Sequence, residues 1–222
     1  MRKMRRLLVC ALAVLLAAGC VTQTAWVYQS NHYPPRAETG TKRAVVLPFE
    51  DRRNDINHDY SIIAMLPLVP YGRVVEHVPP DMELLVKPRD YFAKALAADL
   101  RATDRYRDAY FSSRIGKADY VFKGEILNTD YIIEILTYGL SMFAAAPWIV
   151  GLPASKITND LSLRLGCSNP NGEILFQKTY AADPYEVYQW MYYVRPNINY
   201  PHMAAQIYRQ FVADLIANGK CM

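Results

Sequence analysis

Two clusters in this 222-residue chain contain side chains able to do chemistry. Glu50, Asp51, Arg52, Arg53 and Asp55 form a charge run directly after an apolar segment. Ligands in α/β folds sit outside the carboxyl ends of strands, and a carboxylate pair there has the chemistry for proton transfer. The same run also fits a solvated loop or an ion-pair lattice between subunits. His58, Asp59 and His77 could be drawn as a two-histidine, one-carboxylate metal set. However, the four histidines (His32, His58, His77 and His202) are scattered, and isolated loop histidines are ordinarily solvated. No Gly-rich phosphate loop, G-x-S-x-G, H-E-x-x-H or C-x-x-C spacing is present. The expectation is a non-enzymatic protein with no catalytic residue, no metal and no cofactor.

The firmest chemistry belongs to cysteine. Met1 to Arg6 is positively charged, Leu7 to Leu16 is an apolar run of about ten residues, and Ala17, Ala18 and Gly19 are small. This is the layout of a secretory signal, and the run is well short of the roughly 20 residues of a membrane-spanning helix. Leu16-Ala17-Ala18-Gly19-Cys20 resembles the bacterial lipoprotein box, which implies cleavage after residue 19 and acylation of Cys20. Two or more acyl chains hold a protein stably on a bilayer. Val21 and Thr22 follow in place of the Asp that favours inner-membrane retention, so the resemblance implies the periplasmic face of the outer membrane. With Cys10 removed in the signal and Cys20 lipidated, Cys167 and Cys221 remain. In an oxidising compartment that even remainder predicts a disulfide, the alternative being two buried thiols.

The net charge of +4 is a product of the leader. Four of the 25 Lys and Arg residues lie before residue 20, leaving 21 against 21 Asp and Glu. A neutral mature chain gives no reason to expect a nucleic-acid partner.

Residues 20–42 read as the acylated cysteine and a flexible tether, rich in Pro and polar residues. Trp26, Tyr28 and Tyr33 within it could lie at the headgroup level or pack on the domain or a neighbouring subunit. Residues 43–222 read as one periplasmic α/β (α+β) domain. Arg43 to Glu50 has the continuous apolar core of a strand covered on both faces. Pro88 to Thr103 carries Tyr91, Phe92, Ala95, Leu96 and Leu100 on one helical stripe. Strands are expected over 106–113, 118–127 and 131–136, with a bulge or turn at 128–130, and over 159–167 and 173–180 as a hairpin around Asn169-Pro170-Asn171-Gly172. Residues 201–218 form a closing helix that ends at Gly219. The expected order is β-α-β-β-β-β-α, a mixed sheet of about five strands with two packed helices.

Two apolar inserts, 61–78 and 138–153, are broken by Pro and Gly. Connections this long and this hydrophobic are usually functional. Either they pack together as a satellite core, or they present Leu66, Tyr71, Phe143, Trp148 and Leu152 to identical subunits, a partner or the bilayer. Residues 185–200 are rich in Tyr. Tyr188, Trp190 and Tyr192 there combine apolar faces with polar tips, which suits carbohydrate stacking or protein contact. The alternative is an edge segment covering the sheet.

The V-V-L-P-F-E-D strand, the F-A-K-A-L-A-A-D-L helix and the A-D-Y-V-F-K-G-E-I strand, together with the lipoprotein box, resemble a group of periplasmic α/β lipoproteins. These are related to the curli secretion-channel lipoprotein and the Pel exopolysaccharide secretion lipoprotein. Similar V-L-P-F strands and helices occur in the N-terminal domain of the Tol translocation protein. The resemblance covers about residues 43–135 and implies an outer-membrane-tethered assembly or export accessory, often a ring-forming homo-oligomer. No alternating hairpins of about ten residues per strand stand out, so a self-made β-barrel pore is not expected. The partners expected are the membrane, through the lipid anchor, and copies of the chain or other envelope proteins. A lipoprotein that binds envelope polysaccharide or another ligand is the alternative.

Overall fold

The computed structural model describes residues 27–36, 39–53, 58–59, 61–77, 87–192 and 198–221. Cys20, the leader, Trp26 and Asp55 lie outside them.

Alternation along β1 (Arg43–Val46) explains the body of the protein. Ala44 and Val46 face a large core and Val45 a small one on the opposite side with Ala118 and Val121. Both faces exclude water, as the unbroken apolar run predicts. After Pro48 interrupts it, the chain resumes as β2 (Glu50–Asp51). β1 is flanked in parallel by β5 (Asp108–Phe111) and β6 (Tyr120–Asn128), and β6 pairs antiparallel with β9 (Ser162–Ser168) and β9 with β10 (Ile174–Ala181). The order of this first sheet is β10-β9-β6-β1-β5, with β2 also on β6.

Two helices cover one face. α1 (Pro88–Ala102) begins at a proline whose fixed φ suits the first helical position. It buries Phe92, Ala95, Leu96 and Leu100 of the expected stripe, with Tyr91 partly buried against the core, and buries Ala93 as well. The last helix (Tyr200–Asn218) buries Met203, Ile207, Tyr208, Phe211 and Leu215, and ends with Gly219 at φ 60°, a conformation glycine adopts without a Cβ penalty. Phe211 meets Phe122 and Tyr180 edge-on, with ring centroids 6.0 and 5.9 Å apart. Gly124 is fixed by close approach, since a Cβ there would lie 2.5 Å from the Phe49 ring. Cys167 of β9 and Cys221 after the last helix form a disulfide, with Cα atoms 6.5 Å apart across 54 residues.

A second, five-stranded sheet grows out of the first. Three of its strands continue strands of the body: β7 (Asp130–Leu136) follows β6 after Thr129, β8 (Ser155–Asn159) leads through two residues into β9, and β11 (Tyr185–Gln189) follows β10 after three residues. β4 (Tyr71–His77) pairs antiparallel with β7 and with the two-residue β3 (His58–Asp59), giving the order β11-β8-β7-β4-β3. The mixed α/β class is as expected. The single sheet of about five strands becomes two sheets because the insert after β2 contains strands and because β7, β8 and β11 extend past a bend.

Groups on several elements lock the bend. The hydroxyl of buried Tyr200 donates to the carbonyl oxygens of Thr129 (2.7 Å) and Asp130 (3.0 Å). Arg53 grips Asp51 through two nitrogens and donates to Thr129 Oγ1 at 3.0 Å.

Candidate functional site

The far end of the second sheet gathers three loops: 61–70 between β3 and β4, 137–154 between β7 and β8, and the turn after β11 at 190–192. Register places them together, because Tyr71 pairs with Leu136 and Gln189 with Ser155 at that end. Short helical turns shape the first two loops: a 3-10 turn at Ser61–Met65, another at Ser141–Phe143, and α2 (Ala145–Ile149). Pro67 follows the first turn and Gly151 follows α2, each two residues past its end.

The loops are tied to one another. Leu68 N donates to Gly139 O at 3.3 Å, Thr137 N to Pro70 O at 2.7 Å, and Thr137 Oγ1 to Val69 O at 2.5 Å. Ser141 Oγ donates to Met65 O. The two indoles act as pins: Trp148 Nε1 donates to Leu136 O at 2.8 Å and Trp190 Nε1 to Gly151 O at 2.9 Å. Tyr138 OH donates to Pro153 O at 2.8 Å. Leu68, Tyr138 and Ser141 adopt positive φ (67°, 56° and 50°). Such backbone costs about 1 kcal/mol or more per residue and is kept where the surroundings fix it.

With the polar groups turned inward, the tip is apolar outside. Leu68 is 87% exposed, Val150 78%, Ile62 74% and Phe143 71%, and Met65, Leu66, Ile149 and Leu152 are also exposed. A cleft of about 450 Å³ opens between the two longer loops, lined by Ile62, Met65, Ile135, Ala144 and Trp148.

Of the residues nominated from sequence, Leu66, Phe143 and Leu152 lie exposed on this tip. Trp148 is half-buried in the cleft wall, and Tyr71 opens β4 opposite Leu136. Tyr188 and Tyr192 are exposed on and just beyond β11, and Trp190 joins that strand to the 137–154 loop. The apolar inserts and the Tyr-rich stretch, separate in the sequence, thus meet at one end.

The charge run after β1 resolves into ion pairs within the chain. Arg52 reaches Glu50 (3.1 Å) and Glu125 (3.6 Å), Arg164 reaches Glu125 (2.7 Å), and Arg53 holds Asp51. Hydrogen bonds from Arg53 hold the Asp51 carboxyl below the usual carboxylate range. Among the described residues, no group of three or more His, Cys, Asp or Glu could hold a metal ion.

Residues 27–36, which the sequence assigns to the tether, form a strap that follows the alternative left open there for Tyr28 and Tyr33, packing on the domain. Tyr28 and Tyr33 pack against the main core. Asp99 of α1, fully buried, accepts hydrogen bonds from Asn31 and from Tyr33 OH (2.7 Å). Burial, then the Asp99 charge, pushes both phenols far above their ordinary range, so they stay protonated. The available signal was Asp99 itself, four residues after Ala95 and three after Leu96 on the apolar stripe.

No family model and no curated protein matches this chain. Among solved structures, a hypothetical protein of Chlamydia trachomatis aligns over 79% of this chain and 96% of its own, at 11% identity and a TM-score of 0.37.

Proposed function

We propose that this protein is a lipid-anchored lipoprotein on the periplasmic face of the bacterial outer membrane. It acts there without catalysis, as an oligomeric assembly or export accessory that works by contact. The observation that carries the reading is the tip: three uncharged loops hold exposed apolar side chains on a rigid, internally bonded support. Contiguous apolar surface of this kind marks contact with protein or membrane. The Leu16–Cys20 box supports the anchor, the Cys167–Cys221 disulfide suits an oxidising compartment, and the resemblance of residues 43–135 supports the accessory role. Among the described residues, no helix is long and apolar enough to cross a membrane.

Labelled palmitate tests the anchor: incorporation into the wild type and not into Cys20→Ser is expected, and equal labelling refutes it. Sedimentation of the mature form tests the oligomer, and a monomeric mass removes that part. The ligand-binding alternative draws on the exposed Tyr188 and Tyr192 rings. It requires retention on envelope polysaccharide that is lost when both become Ala.

A further inference from the structure

We propose that the tip inserts into the interfacial layer of the same bilayer that carries the acyl anchor, so that the domain is held at two points. This rests on the anchored reading above.

The first support is chemical. Residues 61–70 and 137–154 contain no Asp, Glu, Lys, Arg or His in a chain where 21% of residues are charged. A protein-facing surface ordinarily offers hydrogen-bonding groups to its partner. Here the side-chain donors of Thr137, Tyr138, Ser141, Trp148 and Trp190 all point to carbonyls of the tip or of the strand end beneath it. Internal satisfaction of polar groups is what hydrocarbon demands and water does not. The aliphatic residues Ile62, Leu68 and Val150 are the most exposed. Tyr138, Tyr188 and Trp190 are less exposed and sit where the strands end, whereas Tyr192, just beyond β11, is 71% exposed. That order matches the headgroup-level placement of Tyr and Trp.

The second support is the length of chain that precedes the strap. Val27 lines one surface cavity together with Ile198, Asn199 and Pro201 at the start of the last helix. That helix start adjoins the bend, through Asn199 N to Asn159 Oδ1 (3.3 Å) and Tyr200 to Thr129. Cys20 is seven residues before Val27, a reach of at most about 25 Å. β7 climbs from the bend to the tip in seven residues, about 23 Å at roughly 3.3 Å per residue. A lipid on Cys20 can therefore lie at the level of the tip. A soluble partner or a second copy would not explain the inward-turned donors.

The test uses the mature acylated protein with Leu68→Cys carrying an environment-sensitive fluorophore, in vesicles of phosphatidylethanolamine and phosphatidylglycerol with or without bromine on the acyl chains. The same label at Ile174→Cys, an exposed position on the body, is the reference. The expected result is a blue-shifted emission at Leu68 and quenching by bromine several-fold stronger than at Ile174. Equal quenching at the two positions, or a blue shift that appears without lipid, overturns the proposal, the latter by pointing to a protein contact. Palmitate incorporation is scored on the same samples. Its absence refutes the anchored reading, whereas incorporation with an unquenched Leu68 label refutes insertion alone. In the Cys20→Ser form, Val150→Asp is expected to weaken binding to these vesicles several-fold with the unfolding midpoint unchanged. Unchanged binding counts against insertion.

Discussion

Asn31 closes both oxygens of Asp99: its backbone N–H donates to Oδ1 at 2.8 Å and its side-chain amide to Oδ2 at 2.6 Å. The pair joins the strap to α1 across 68 positions of sequence. Asn31 Nδ2 also donates to Ala205 O, and Arg209 donates to Asn31 Oδ1, so the last helix shares the same lock. Asn31→Ala leaves a fully buried carboxylate short of a donor. A loss of about 1–3 kcal/mol is expected, with proteolysis before residue 40 accelerated ahead of global unfolding. Unchanged cleavage in this segment would show that the strap is held by other contacts.

The disulfide pins the C-terminus to β9, where Tyr106 OH also donates to Cys221 O at 2.7 Å. Closing a loop of 54 residues contributes roughly 4 kcal/mol in the chain-entropy account. Reduction, or Cys221→Ser, is expected to lower the urea midpoint by a corresponding amount. Alkylation should find both thiols only after reductant is added.

Tyr200→Phe removes the donor shared by the two carbonyls at the bend. Tyr200 is fully buried, so water cannot replace it without repacking. A cost of about 1–2 kcal/mol is expected, read as a lower unfolding midpoint at constant m value. A neutral substitution would mean that the bend is held without the Tyr200 hydroxyl.

Acid should act on two carboxyls in opposite senses. The Asp51 pKa is lowered, chiefly by hydrogen bonds from Arg53. Its contribution is present above the ordinary Asp value and is lost as pH falls through the depressed one. The Asp160 pKa is raised, by burial first and then by Asp130, so the ionised form costs stability at neutral pH and the fold gains as pH falls through the raised value. Asp160→Asn is therefore expected to stabilise the protein at pH 7 by under about 1 kcal/mol, and Asp51→Asn to destabilise it at pH 7 but not near pH 2. Chemical unfolding across that range checks both signs.

The body was legible in the sequence because its faces differ sharply in wetness. The stripe on α1, the run of β1 and the leucines of β9 each record a helix-covered layer. The second sheet left a weaker trace. Residues of β7, β8 and β11 belong to neither core cluster, and many are only partly buried. Tyr71 to His77 and Tyr185 to Gln189 therefore lack the clean alternation that marks a half-buried strand. The bend had one local sign, the interruption at 128–130. Packing of Tyr28 and Tyr33 on the domain was one of two readings open in the sequence, but its anchor at Asp99 escaped because a few specific hydrogen bonds leave no mark in composition. Both apolar inserts were legible individually, but their convergence with Trp190 depends on a register that only the paired strands define.

Three strands of the body run through the bend into the second sheet with gaps of only one to three residues. The outer sheet is therefore a lever built from the same backbone as the core, with no linker to absorb motion. A load applied at its end passes through that shared backbone into the body, at the bend where the Tyr200 hydroxyl holds Thr129 and Asp130.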